Sequence, residues 1–314
     1  MFTFIQREEL ETIKPEVTVL SASRLAAFAE SPKTYKSQYI LKEIEPTPAM
    51  EMGKIYHKAI LEADKFEDEY VVMEPKENFI CTVDQLKDAI KACGEKPVSG
   101  KKQNLIDQLN ALDPNARIWE MYVAEMNQQG KKLISAELWK KCQRMTQEVL
   151  NHDLLAKFFT EGQKEIKATW KFDEEIYFNM VMDFFHPNLI DGDSVIMDIK
   201  TTADASPRAC YSTVKKNKLL LQAAVYVDGV KQITGKEPYF GWAFVESSPP
   251  YHVTVIMADS GQLELGQRWY RGLIKEFMNC KRSNNWPSYD NGRAMHLEID
   301  DWFFKKIEEE YPET

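Results

Sequence analysis

Three residues have types and spacing that a purely structural role does not explain: Asp183, Asp198 and Lys200. Asp183 stands among Met180, Val181, Met182, Phe184 and Phe185. Asp198 lies inside Val195-Ile-Met-Asp-Ile-Lys200, so both carboxylates fall in apolar runs of strand character. Burying a lone carboxylate in such a run costs several kcal/mol or forces the group neutral. A divalent cation shared between the two removes that penalty. Along the second run Ile196, Asp198 and Lys200 alternate with Val195, Met197 and Ile199, which places Asp198 and Lys200 on one face of a strand. Two carboxylates, a cation and an ammonium group are the parts needed to drive water onto a phosphodiester. An Asp-x-Lys triplet is also common on solvated strand edges. The apolar company on both runs sets this one apart.

Those residues need a sheet to carry them and helices to close it. Period-two alternation predicts a strand over 166–172 (with Glu165 at its mouth), and further strands are expected over 176–185, 194–201, 239–246 and 251–257. The segment 218–228 predicts a helix on which Gln222 and Tyr226 share a face. They either edge that helix or orient a phosphate or a water. Residues 50–62 predict another helix, with Gly53 permitting close backbone approach and His57 beside the apolar face. A lone histidine there is ordinarily a satisfied core residue; it becomes a candidate metal ligand because the acidic pair needs further ligands. Upstream, Ser21 or Ser23 caps a helix that Ser31-Pro32 stops, and a second helix starts over 33–39. Arg24 and Ser31 lie near the ends of this unit, where capping and solvation are their ordinary roles. A long helical stretch is expected over 118–159 and a helix over 260–280, followed by an aromatic Trp286-Pro-Ser-Tyr289 and a polar tail. Together these elements describe an α/β chain, a mixed central sheet flanked by helices.

From Cys81 to Arg117 the character changes. Thr82 and Gln85 make a capping box for one amphipathic helix, and a turn through Gly94, Pro97, Ser99 and Gly100 leads to a second over 101–109. The skeleton L-x-x-x-I, then G, then S-G-K-K-x-x-L-I-x-x-L resembles the SAP-type helix–extension–helix, a small DNA-binding module. Lys101 and Lys102 at a helix N-terminus are placed to meet a phosphate, or else form a solvated pair on a structural hairpin. The expected organisation is an N-terminal helical part over 1–76, the inserted module over 77–117 and the catalytic core over 118–314.

Composition bounds the rest. A chain of 314 residues buries a sizeable core. Its net charge of −9 is unexpected for a protein that grips nucleic acid, unless positive charge is concentrated in a channel. The sequence permits that concentration, because carboxylates crowd the ends (Glu8, Glu9, Glu11; Glu308, Glu309, Glu310) and lysines gather inside at Lys215, Lys216 and Lys218. The five cysteines are scattered with no C-x-x-C pair, which argues against zinc, an iron–sulfur cluster and a secreted disulfide frame. No apolar run reaches membrane-spanning length and the N-terminus lacks a signal-peptide pattern, so the cytosol is the default. Nothing resembles a G-x-x-x-x-G-K-[ST] nucleotide loop, so no ATP requirement is expected.

The order of motifs is a capped Ser-x-Ser-x-Leu helix, G-x-x-x-H-x-x-x-x-E, E-x-x-x-x-W, D, D-x-K-T-T, Q-x-x-x-Y and W-P-x-Y. It resembles the RecE-type, exodeoxyribonuclease VIII-like group of phage recombination exonucleases, in the PD-(D/E)xK nuclease superfamily, over nearly the whole chain outside 81–117. That resemblance implies a restriction-endonuclease-like core. It further implies His57, Asp183 and Asp198 as metal ligands, with the carbonyl of Ile199 as a fourth contact. Lys200 would be the catalytic lysine, Glu165 an accessory acid, and Gln222 and Tyr226 the helix-borne motif. Arg24 and Ser31 are similar to residues that hold a 5′-phosphate in relatives. The implied cofactor is Mg²⁺, with Mn²⁺ able to substitute, and the implied substrate is the end of linear duplex DNA, digested 5′→3′ to mononucleotides. The implied setting is a ring-shaped homo-oligomer working with a single-strand annealing protein, phage or prophage encoded, in the bacterial cytoplasm. Where many relatives carry a basic residue two before the first Asp, this chain has Val181. The competing readings are an endonuclease of the same superfamily and a non-catalytic DNA-end-binding scaffold.

Overall fold

Alternating apolar residues build a mixed sheet at the centre of the computed structural model, which describes residues 2–43, 45–296 and 298–311. Its strands are β1 (Thr18–Leu20), β4 (Gln163–Lys171), β5 (Ile176–Ile190), β6 (Asp193–Thr202), β7 (Tyr239–Glu246) and β8 (Val253–Met257). Two short strands, β2 (Tyr70–Val72) and β3 (Lys132–Ile134), pair in parallel as a separate ribbon. In the main sheet β4 and β6 run antiparallel to β5, β1 runs parallel to it, β7 runs parallel to β6, and β8 closes antiparallel to β7.

Helices cover both faces. On one, Phe178, Met180, Met182, Ile196, Phe240 and Trp242 pack against helices Ala22–Glu30, Leu219–Thr234 and Ser260–Ser283. On the other, Phe184, Val195, Met197, Ile199 and Val245 pack against Pro48–Leu61, Ala136–Asn151 and Asp153–Thr160. The parallel β6–β7 pair needs a crossover, and helices Pro207–Lys216 and Leu219–Thr234 supply it. That crossover lays the Gln222 helix over the sheet. Its approach to the neighbouring helix requires Gly266, where a Cβ would stand 2.5 Å from the Leu220 carbonyl oxygen.

The capped helices form as their sequences dictate. Ser21 caps Ala22–Glu30, Thr47 caps Pro48–Leu61 and Thr82 with Gln85 closes a capping box on Val83–Ala92. Val83–Ala92 and Lys102–Leu112 enclose a small apolar core of their own, made by Leu86, Ile90, Leu105, Ile106, Leu109 and Ile118.

Three expectations are corrected. The stretch 118–159 is not one helix: Trp119–Gln128 ends before Gly130 in left-handed conformation (φ 73°), β3 follows, Ser135 caps Ala136–Asn151, and Asp153–Thr160 is separate. The helix expected over 33–39 is one turn, Pro32–Tyr35, continued by a π-helical segment Lys36–Leu41. The polar tail contains a helix, Asp301–Glu310, which leaves Trp302, Phe303, Phe304 and Ile307 exposed.

Candidate active site

β5 breaks its alternation at Asp183. Met180 and Met182 face one helical layer, but Phe184 faces the other. On β4, Lys164 pairs with Phe184 and Ile166 with Met182, so Glu165 comes opposite Asp183, and Glu165 takes left-handed backbone (φ 53°). A non-glycine residue in that region stores strain and persists only where its surroundings hold it there. On the other side, the pairing of Phe184 with Met197 brings Asp198 level with Asp183. Three carboxylates on adjacent strands thus form one row across the sheet. Instead of regular ladder bonding at this point, the Ile199 N–H donates to Asp183 Oδ2 at 2.7 Å.

The Pro48–Leu61 helix brings His57 over the row. His57 Nε2 stands 3.1 Å from Asp183 Oδ1 and 3.8 Å from Glu165 Oε1. His57, Glu165 and Asp183 each offer a ligand atom within 4.8 Å of the others. Asp198, 2% exposed, faces the other way along the row: its Oδ2 lies 2.5 Å from Lys200 Nζ, and its Oδ1 accepts from Gln222 Nε2 at 2.5 Å. Tyr226, one turn on from Gln222, accepts the Val181 N–H through its hydroxyl at 3.4 Å.

The electrostatics follow from burial and crowding. Burial pushes the Asp198 carboxyl up to about 6, Asp183 adds to the rise, and Lys200 and Gln222 oppose it. Burial also raises Glu165. Burial opposes charging of Lys200, but Asp198 and Asp183 outweigh it and hold the ammonium form. For His57 likewise, burial is outweighed by the hydrogen bond to Asp183 and the charges of Asp183, Glu165 and Asp198, so its pKa is raised. Glu165 Oε1 is buried with no hydrogen-bond partner, and Asp198 Oδ2 has only its ion pair with Lys200. Lone pairs left open on hard oxygen donors beside an imidazole fit a divalent cation.

Two cavities meet at Lys200. One, about 680 Å³, is walled by His57, Lys54 and Lys58 from one helix, by Tyr70 and Lys132 from β2 and β3, and by Ile199. The other, about 330 Å³, lies between Ser21 and Ser23 and the Gln222–Tyr226 face, with Lys218 at its edge.

The structure therefore gathers His57, Glu165, Asp183, Asp198, Lys200, Gln222 and Tyr226, with Ile199 contributing its N–H. The other candidates stand apart from the two cavities. The Arg24 guanidinium lies 4.6 Å over the Tyr39 ring, with Nη1 buried and unpartnered. The Ser31 hydroxyl is occupied in capping Pro32–Tyr35. Lys102 is held by the Glu120 carboxylate and the Cys81 carbonyl, whereas Lys101 is the exposed N-cap of its helix. Sequence reasoning missed the cleft lysines. Lys54 and Lys58, four apart on the His57 helix, were findable, but Lys132 is brought in only by the β2–β3 pairing.

Residues 21–296 match the profile of a family described as a PDDEXK-like domain of unknown function (DUF3799). No curated protein matches the chain. Among solved structures, a protein from Eubacterium rectale that carries the provisional description of an exonuclease superposes with a TM-score of 0.52 at 13% identity, over 96% of this chain and 98% of that one. SSO0001 overlaps only loosely, at a TM-score of 0.28 and 10% identity over 76% of this chain and 88% of that one. The first of these shares the fold, a restriction-endonuclease-like sheet with helices on both faces. With the match running through every residue gathered at the row of carboxylates, the chain belongs to the PDDEXK-like family.

Proposed function

We propose that this protein is a divalent-cation-dependent exonuclease that digests linear double-stranded DNA 5′→3′ to 5′-mononucleotides. The observation that carries the reading is the row Glu165–Asp183–Asp198 with His57 above it and Lys200 at its end. The description of the Eubacterium rectale protein supports it.

His57, Glu165 and Asp183 would hold the cation, with Asp198 adjoining. Oxygen-rich ligation suits Mg²⁺, and the imidazole lets Mn²⁺ serve. When bound, the cation supplies Lewis acidity to the phosphate and acidifies water. The Lys200 ammonium orients water and offsets charge growing on the phosphorus. Gln222 fixes the Asp198 carboxylate through Oδ1, and Tyr226 holds the backbone two residues before Asp183 through the Val181 N–H. Direct attack by water needs no covalent intermediate, and no ATP requirement is expected.

The wider reading is that the enzyme makes 3′ single-stranded tails for annealing-type recombination, as a ring-shaped homo-oligomer with an annealing partner, phage or prophage encoded, in the bacterial cytoplasm. The 77–117 module would add a contact to DNA. The test is end-labelled linear duplex with and without a 5′-phosphate, beside supercoiled circles, in Mg²⁺ and in Mn²⁺. Mononucleotide release from linear DNA alone is expected. Cutting of the circles would make the protein an endonuclease, and binding without cutting in either metal would make it a scaffold.

A further inference from the structure

The wall that leads to Lys200 is cationic, yet its cations are engaged. Lys54 enters from the His57 helix and Lys132 from β3, and one carboxylate takes both. Glu51 Oε1 lies 2.9 Å from Lys54 Nζ, and Glu51 Oε2 lies 3.1 Å from Lys132 Nζ. Glu51 and Lys54 share a helix, whereas Lys132 comes from β3, so Glu51 ties together two elements whose lysines both line the 680 Å³ cavity. Lys58 differs: its side chain is 14% exposed and locked between Glu62 and Glu69, part of the wall itself. The Glu51, Lys54 and Lys132 side chains are 35%, 55% and 64% exposed. Ion pairs so solvated contribute little to folding, and holding three long side chains together costs entropy. Folding therefore does not account for the arrangement. A carboxylate that offers one oxygen to each of two ammonium groups does, however, match the charge and the paired oxygens of a phosphodiester.

Resting on the reading of the protein as a nuclease of duplex DNA, we infer that Glu51 stands in for a backbone phosphate: duplex entering the cleft displaces the carboxylate, and Lys54 and Lys132 pass to the phosphodiester. The carboxylate offsets one of the two lysine charges until a phosphate of the right reach arrives. The arrangement also fits a chain of net charge −9, in which grip must be local rather than general.

The experiment is binding of a fluorescent blunt-ended duplex to the full chain in EDTA across a salt series, by anisotropy. The variants are Glu51→Gln, Lys54→Ala/Lys132→Ala, all three together, and Glu137→Gln as an equal charge change at a side chain 82% exposed. Glu51→Gln should bind roughly threefold to tenfold tighter, with the log–log salt slope steeper by about 1. Glu137→Gln should change affinity less than about twofold, and the gain from Glu51→Gln should vanish once both lysines are gone. A gain equal to that of Glu137→Gln, or one that persists without the lysines, overturns the inference. Wild-type protein that is folded by circular dichroism yet binds no duplex, in EDTA or with Ca²⁺ in place of Mg²⁺, overturns both this inference and the nuclease reading. Binding that follows the expected pattern, with no cleavage on adding Mg²⁺ or Mn²⁺, leaves the Glu51 exchange standing and removes the nuclease.

Discussion

Asp198 combines the deepest burial in the row with the closest charged neighbours, and its proton is therefore the most informative one in the molecule. Burial, with Asp183 adding to it, pushes its carboxyl up to about 6 from the ordinary 3.8, so the folded chain keeps that proton after the unfolded chain has lost it. Metal-free stability must then fall as pH rises from about 4 through 6, without recovering above. Glu165, also raised, acts in the same sense. His57 does too, because a base with a raised folded pKa gives stability that is lost as pH rises through that value. Thermal unfolding in EDTA should show Tm declining from pH 5 to pH 8, a shallower decline in Asp198→Asn, and recovery on adding Mn²⁺ at pH 8. A flat profile in the wild type would contradict the burial of these groups. For catalysis, Lys200→Ala should lower the rate of digestion roughly 10²–10⁴-fold with the fold intact by circular dichroism. Full activity in that variant would remove Lys200 from the site. Asp183, Asp198 and Lys200 were legible in the sequence because charge in an apolar run is conspicuous, and His57 only because an acidic pair needs further ligands. The strained backbone of Glu165 and its alignment with Asp183 were not, since register belongs to the pairing of strands and not to either strand alone.

At the scale of elements, a continuous apolar run of strand length was readable to the residue, as β7 shows. The three-residue strands β1, β2 and β3 were not, because so short a run carries no period. The same shortness hid the break in 118–159, where a helical pattern continues on both sides of β3. Helix packing turns on one position the sequence alone does not mark. At Gly266 an added methyl meets the Leu220 carbonyl at 2.5 Å and the Ala224 Cβ at 2.9 Å, and backbone cannot yield as a flexible side chain does. Gly266→Ala should therefore cost about 1–3 kcal/mol in chemical denaturation. Because the displaced helix carries Gln222, activity should fall as well. An unchanged midpoint would mean that the two helices separate freely.

For the whole molecule, net charge and site geometry have to be reconciled, and the cleft does so by placing lysines from distant parts of the chain around one lysine of the sheet. The helical module of 77–117 is inserted between β2 and β3, two strands that contribute Tyr70 and Lys132 to this cleft. β2 and β3 are parallel, so the chain between them must cross back, and the module sits within that crossover together with helix Trp119–Gln128. Its entry and exit are joined side by side, with the Ile80 N–H donating to the Arg117 carbonyl at 2.8 Å and the Trp119 N–H donating to Ile80 at 3.2 Å. Deleting 81–117 should leave a folded, cleaving protein with weaker hold on duplex, read by anisotropy and by turnover at saturating DNA. Loss of turnover at saturation would show that the module shapes the site itself.

That closed doorway at Ile80 and Ile118 makes the fold a socket. A foreign recognition head with neighbouring ends could be plugged in there, carried on the same β2–β3 crossover whose strands line the cleft.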